Sequence, residues 1–315
     1  MSVVVFAYQE VGCRTLEVLT ELGVRVGCVY THRDDGDENR WFRSVRQVAA
    51  SLGMPVRVAD PRTEAERHHI RGLKPSALVS AYWRRLLPEP VLSLAPIAVN
   101  LHGSLLPRYR GRAPVNWQIL HGERQGGVSL HHMVAEPDAG DLVDQEPFPI
   151  GSDDTPLDVY AKLVPAAATV VRRSIPPLLT ADAPRWPQAA SKATVFGARR
   201  PADGLIDFRY ASEDVRNLIR AVTRPYPGAF TYAGAHRVTV WRASHPETPG
   251  PRVPTTTVGE VLIDGAEMFV VCGDGRRLRL DDIEIDAHRG NPRSGAHILR
   301  HGTVLAPLTA SEERS

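Results

Sequence analysis

The chain has 315 residues, 43% hydrophobic and 23% charged, which suits a soluble, cored protein of two domains better than one. Thirty-eight basic residues against 36 acidic ones leave a net charge of +2, so no overall field draws it to nucleic acid or an anionic membrane. Cys13, Cys28 and Cys272 show no paired spacing, which speaks against a disulfide framework or a thiolate zinc site, and no apolar run approaches the roughly 18 residues of a membrane helix.

Strand-like runs at residues 3–8, 25–31, 56–58, 77–82 and 98–101 alternate with amphipathic stretches at 13–22, 44–52 and 62–72. That alternation predicts a Rossmann-like, mostly parallel α/β sheet with helices on both faces, a fold that binds ligands beyond the carboxyl ends of its strands. The first strand leads into Tyr8-Gln9-Glu10-Val11-Gly12-Cys13, which lacks the G-x-G-x-x-G fingerprint of a dinucleotide site. No basic residue precedes Val3, so the secretory lead-in is missing and the expected location is cytoplasmic. After residue 98 come a long loop, a helix near Trp117 and strands at 127–134 and 142–150, joined by a tight Glu-Pro-Asp-Ala-Gly turn. Thr155-Pro156-Leu157-Asp158 supplies an N-cap, a first-turn proline and a carboxylate to open a helix, which Pro165 is expected to kink or restart. Residues 180–187 read as a linker. A helix over 212–222 then precedes short strands at 230–232, 238–241, 258–263, 268–272 and 277–280, predicting a small OB-like β-barrel. The expected division is a catalytic domain over 1–188, a linker over 189–200 and a barrel domain over 201–310, with a disordered tail after Ala310.

The chemistry concentrates between Val99 and Pro114. At a strand end, the two-residue period puts Asn100 and His102 on one face and Val99 and Leu101 on the other. Acyl transfer needs what that pair offers: a donor for the oxyanion of a tetrahedral intermediate, and a group that moves a proton between nitrogens. An imidazole in this role needs a carboxylate to orient it. Asp138 in the turn is the best candidate, and Asp141 is the alternative. His131 and His132 fall on opposite faces of the next strand and read as core or surface residues, while a His102, His132, Asp138 metal cluster stays open. Arg108, Arg110 and Arg112 read as a polar, solvated loop.

In Asn100-x-His102, Ser104-Leu105-Leu106-Pro107 and Asp138-Ala139-Gly140 the chain resembles the folate-dependent formyltransferase family. Phe196-Gly197, Pro225-Tyr226-Pro227-Gly228-Ala229-Phe230 and Cys272-Gly273-Asp274-Gly275 extend the likeness in order. Within the family, the run Tyr109-Arg110-Gly111-Arg112-Ala113-Pro114-Val115-Asn116-Trp117 is similar to the branch that formylates UDP-4-amino-4-deoxy-L-arabinose for lipid A decoration and polymyxin resistance.

The resemblance implies that Asn100 stabilises the transition state, His102 shuttles the proton and Asp138 raises the pKa of His102. It implies 10-formyltetrahydrofolate as co-substrate, without metal, held by Arg85, Leu86, Leu87, Arg112 and the segment Val134, Ala135, Glu136, Pro137 and Asp138. It offers Arg110, Asn116 and Trp117 to the nucleotide sugar, and a separate decarboxylase as the supplier of substrate. No nucleic-acid partner and no membrane insertion are expected. Residues 201–315 agree, with 14 Arg against 15 Asp plus Glu, because gripping tRNA phosphates favours a basic domain. The rival readings are methionyl-tRNA formylation, metal-dependent amidohydrolysis and a non-catalytic folate-binding module.

Overall fold

Val3-Val4-Val5-Phe6 is an unbroken apolar run, as a strand covered on both faces requires, and all four side chains are fully buried in β1 (Ser2–Ala7). The computed structural model describes residues 1–33, 40–246, 258–286, 288–290 and 298–306. Helix α1 (Gln9–Glu21) leads to β2 (Arg25–Tyr30), α2 (Val45–Ser51) to β3 (Val56–Arg57), α3 (Glu64–Leu73) to β4 (Ala77–Ala81), and α4 (Glu89–Leu92) to β5 (Ala98–His102). Side-chain oxygens start two of these helices: Ser44 accepts from the Gln47 N–H and Thr63 from the Glu66 N–H. Then follow β6 (Arg110–Gly111), α5 (Pro114–Leu120), the hairpin of β7 (Gln125–His132) and β8 (Leu142–Pro149), α6 (Pro156–Leu179), and β9 (Val195–Phe196), which pairs in parallel with β6.

The main sheet has the order β3-β2-β1-β4-β5-β7-β8. Its first five strands are parallel, as the alternation predicts, and β7 and β8 add an antiparallel hairpin at one edge. The order reverses between β1 and β4, so the ligand edge of such a sheet is where those strands end, at Ala7 and Ala81, with His102 at the end of the adjoining β5. One expectation is corrected in part: of the kink or restart expected at Pro165, the restart does not occur. Helix α6 runs unbroken through Pro165, and through Pro176 and Pro177. Leu163, Val170, Val171 and Ile175 are fully buried, and at about 1.5–3 kcal/mol each their burial is of a size to offset the roughly 3 kcal/mol that each of the three interior prolines costs. In the segment read as a linker, Trp186 exchanges both backbone hydrogen bonds with Leu142, at 2.7 and 2.9 Å.

The chain divides into two compact units, one of residues 1–115, 125–150 and 159–198, the other of 116–124, 151–158 and 199–315. In the second, α7 (Ser212–Val222) precedes β10 (Ala229–Ala233), β11 (His236–Ser244), β12 (Val261–Asp264), β13 (Glu267–Val271), β14 (Arg277–Ile285) and β15 (His288–Gly290). These form an antiparallel sheet in the order β10-β11-β14-β13-β12, with β15 on β14. Val304 bridges to Glu260, next to β12, and Ala306 bridges to Tyr232 in β10, so one short segment ties the two outer strands together. The tail after Ala310 lies outside the described residues. Among those residues, no helix is long and apolar enough to cross a membrane.

Candidate active site

Antiparallel register sets Asn100 of β5 opposite His131 of β7, and His102 opposite Ser129. Directly opposed residues share a face, so these four side chains gather on one side while Val99 and Leu101 are buried on the other. His102 Nε2 lies 2.7 Å from the Tyr109 carbonyl oxygen, which can only accept, so Nε2 carries a proton. The other ring nitrogen, Nδ1, lies 3.6 Å from Asp138 Oδ2. That carboxylate also accepts the Gly111 N–H at 2.8 Å, and its Oδ1 is 3.4 Å from His131 Nε2. Asn100 Nδ2 stands 3.1 Å from the same His131 nitrogen. Asn100, His102 and Asp138 therefore meet around one carboxylate and one further imidazole. Asp141 is committed elsewhere, paired with Arg185 at 2.6 Å.

Three further residues hold this arrangement. Gln188 Nε2 donates to the carbonyls of Asp138 and Gly140, each at 2.7 Å, and its Oε1 accepts from Arg110 at 2.9 and 3.2 Å. That grip fixes Asp138, whose φ of 55° is unusual for a non-glycine residue. Buried Ser129 donates to the Ser104 carbonyl at 2.6 Å and accepts from the Leu106 N–H at 3.0 Å, binding the loop after β5 to β7. Gly111 has φ 96°, and an added Cβ would overlap the Phe196 carbonyl oxygen, so β6 needs glycine where its N–H meets Asp138.

Burial pushes the His102 pKa below the usual imidazole value, with Asp138 and the Tyr109 carbonyl opposing and His131 reinforcing the shift. Burial alone would raise the Asp138 carboxyl. The charge that His102, and after it His131, carries when protonated opposes this, together with the Gly111 N–H, and holds the group well below the usual carboxylate range. At His102, then, burial favours the neutral imidazole while the Asp138 carboxylate favours the protonated one.

The other predicted residues fall in several places. Arg85 is exposed and 3.3 Å from Asp60, Leu86 is 67% exposed, and Leu87 packs into the core beside Val91 and Leu92. Arg112 is exposed, as are Val134, Ala135, Glu136 and Pro137 leading into Asp138. Arg110, expected in a solvated loop, is buried: it needs the Gln188 oxygen and Glu136, 3.4 Å away, because an unpaired buried guanidinium is costly. Asn116 and Trp117 belong to the second unit, where Asn116 donates to the Ala221 carbonyl at 2.7 Å and Trp117 stacks on His121 beneath the Arg199 guanidinium. Burial, and after it Arg185, pushes the His132 pKa below the usual imidazole value, with Asp141 opposing. Among the described residues, no group of three or more His, Cys, Asp or Glu is placed to hold a metal ion. Sequence reasoning missed His131, Ser129 and Gln188. For His131 the signal was available, since it alternates with Ser129 on the strand paired to β5.

A family model described as formyl transferase matches residues 19–175, and one described as formyl transferase, C-terminal domain, matches 199–294. Among solved structures, the chain is similar to an N-formyltransferase from Helicobacter canadensis in complex with folinic acid and dTDP-3-aminofucose, at 17% identity and TM-score 0.67 over 88% of this chain and 98% of that one. It is similar to WlaRD, a sugar 3N-formyl transferase determined with dTDP and 5-N-formyl-THF, at 16% identity and TM-score 0.68 over 89% and 96%. A methionyl-tRNA formyltransferase from Clostridium thermocellum matches at 18% identity and TM-score 0.55 over 78% and 94%. With both family modules in order along it, the chain belongs to the folate-dependent formyltransferase family.

Proposed function

We propose that the chain passes the formyl group of 10-formyltetrahydrofolate to the amine of a nucleotide-linked amino sugar, with UDP-4-amino-4-deoxy-L-arabinose the first acceptor to try. The observation that carries this reading is the Asp138 carboxylate set between His102 and His131, with the Asn100 amide on the latter. A proton carrier and an N–H donor thus share one face beside one anion. In the mechanism, the neutral amine attacks the formyl carbon and an Asn100 N–H donates to the oxygen as it gains charge. The bond from carbon to N10 then breaks as N10 takes up a proton. His102 receives the proton shed by the attacking nitrogen and delivers it to N10. Between those steps the imidazolium has an acceptor on each side, Asp138 at Nδ1 and the Tyr109 carbonyl at Nε2.

The Tyr109 to Trp117 run supports the UDP-4-amino sugar, and the two sugar-formylating relatives, with dTDP or a dTDP-linked amino sugar, support the wider substrate class. Arg112 and the exposed segment 134–137 that leads into Asp138 are the folate contacts this reading favours. On this reading a separate decarboxylase would make the amino-sugar precursor, and lipid A would receive the product. The test is incubation with 10-formyltetrahydrofolate and a panel of UDP- and dTDP-linked amino sugars, read by mass spectrometry. One formyl group on a UDP-4-amino sugar is the expected result. Formylation of initiator methionyl-tRNA with every sugar left unmodified would overturn it.

A further inference from the structure

The mechanism above leaves one histidine of the site unused. His131 is 2% exposed. Its Nδ1 lies 2.9 Å from the His132 carbonyl oxygen, and because a carbonyl only accepts, Nδ1 carries a proton. The state of Nε2 is then set by two neighbours with opposite demands. Asn100 Nδ2, at 3.1 Å, is a donor and asks for a lone pair; Asp138 Oδ1, at 3.4 Å, is an acceptor and asks for a proton. One nitrogen serves only one of them at a time, and the Asn100 contact is the shorter.

We infer that His131 is a positioning residue for the transfer: as the neutral Nδ1–H tautomer it selects the Asn100 amide rotamer that keeps nitrogen, not oxygen, at the reacting edge. An Asn side chain has two N–H donors on one nitrogen. With one spent on His131 Nε2, the second is held ready for the formyl oxygen. Were the amide turned over, its carbonyl would face both the imidazole lone pair and the developing oxyanion, and would repel each. The titratable groups facing this ring are Asp138 from the turn after β7, His102 from β5, with ring centroids 6.5 Å apart, and the adjacent His132. Of these, Asp138 is the one that touches the same nitrogen as Asn100.

This inference rests on the formyl-transfer reading, and its test separates the two. In 15N-resolved histidine NMR of the ligand-free wild type, His131 should show Nδ1 protonated and Nε2 bare; an Nε2–H tautomer would overturn the inference whether or not any acceptor is turned over. In kinetics, His131→Leu should lower kcat roughly 10- to 10²-fold, short of the roughly 10²–10³ expected for losing the Asn100 donor itself, with KM for folate nearly unchanged. His131→Gln, whose amide oxygen can accept from Asn100, should recover most of that loss. In Asn100→Ala, adding His131→Leu should change kcat no further, because the residue acts through Asn100. Equal losses from His131→Leu in both backgrounds, or a rise in KM alone, would reject positioning in favour of a general packing role. A wild type without activity on any amino sugar would sink the proposed function and leave the tautomer result standing by itself.

Discussion

At the residue scale the site turns on the charge of Asp138. Asp138 raises the His102 pKa against the larger, opposing effect of burial, so Asp138→Asn should lower that pKa further and move the acidic limb of the pH–rate profile to lower pH. NMR titration of His102 checks this, and an unchanged curve would contradict the assignment. Asn100→Ala should reduce kcat by roughly 10²–10³ and His102→Ala by about 10²–10⁴, measured with whichever amino sugar turns over. Asn100 and His102 are legible in the sequence because strand alternation is local. Asp138 is only half legible: Asp141 sits in the same turn, and the choice is made by Arg185, 44 positions along, which takes Asp141. Gln188 escapes notice because what gives it meaning, the Asp138 carbonyl, lies 50 positions away.

At the scale of elements, the turn between β7 and β8 tolerates little change. A Cβ on Gly140 would overlap the His132 carbonyl oxygen, which is backbone and is also the acceptor for His131 Nδ1. Gly140→Ala should therefore destabilise the first unit by about 1–3 kcal/mol, seen in urea unfolding, and depress kcat in the molecules that remain folded. The same scale explains why α6 defeats a sequence rule. Interior prolines are read as breaks because they remove donors, and that local cost is visible in one chain of letters. The compensating burial of Leu163, Val170, Val171 and Ile175 depends on what packs around the helix, which periodicity suggests and only the fold decides. The parallel strands were readable for the opposite reason, since a strand buried on both faces announces itself as an apolar run.

Across the whole molecule, the odd cysteine count is accounted for by burial. Cys13, Cys28 and Cys272 are all free and enclosed, and burial pushes their thiols up to about 12, 11 and 12. The native protein should consequently leave Ellman's reagent almost untouched at neutral pH and titrate as three thiols once unfolded in guanidinium. Rapid reaction of any thiol in the native state would show that its enclosure opens readily. The second unit was legible as a run of short strands, but its closure was not, because the bridges made by Val304 and Ala306 join residues that no pattern pairs. That clasp has a consequence for how the protein can be trimmed. Stopping the chain at Arg300 would strip the covering from β12 and from one stretch of β10, leaving rows of unanswered amide and carbonyl groups. Such a shortened form should gather into sticky, concentration-dependent assemblies through copies of itself, even with the residues around Asp138 untouched.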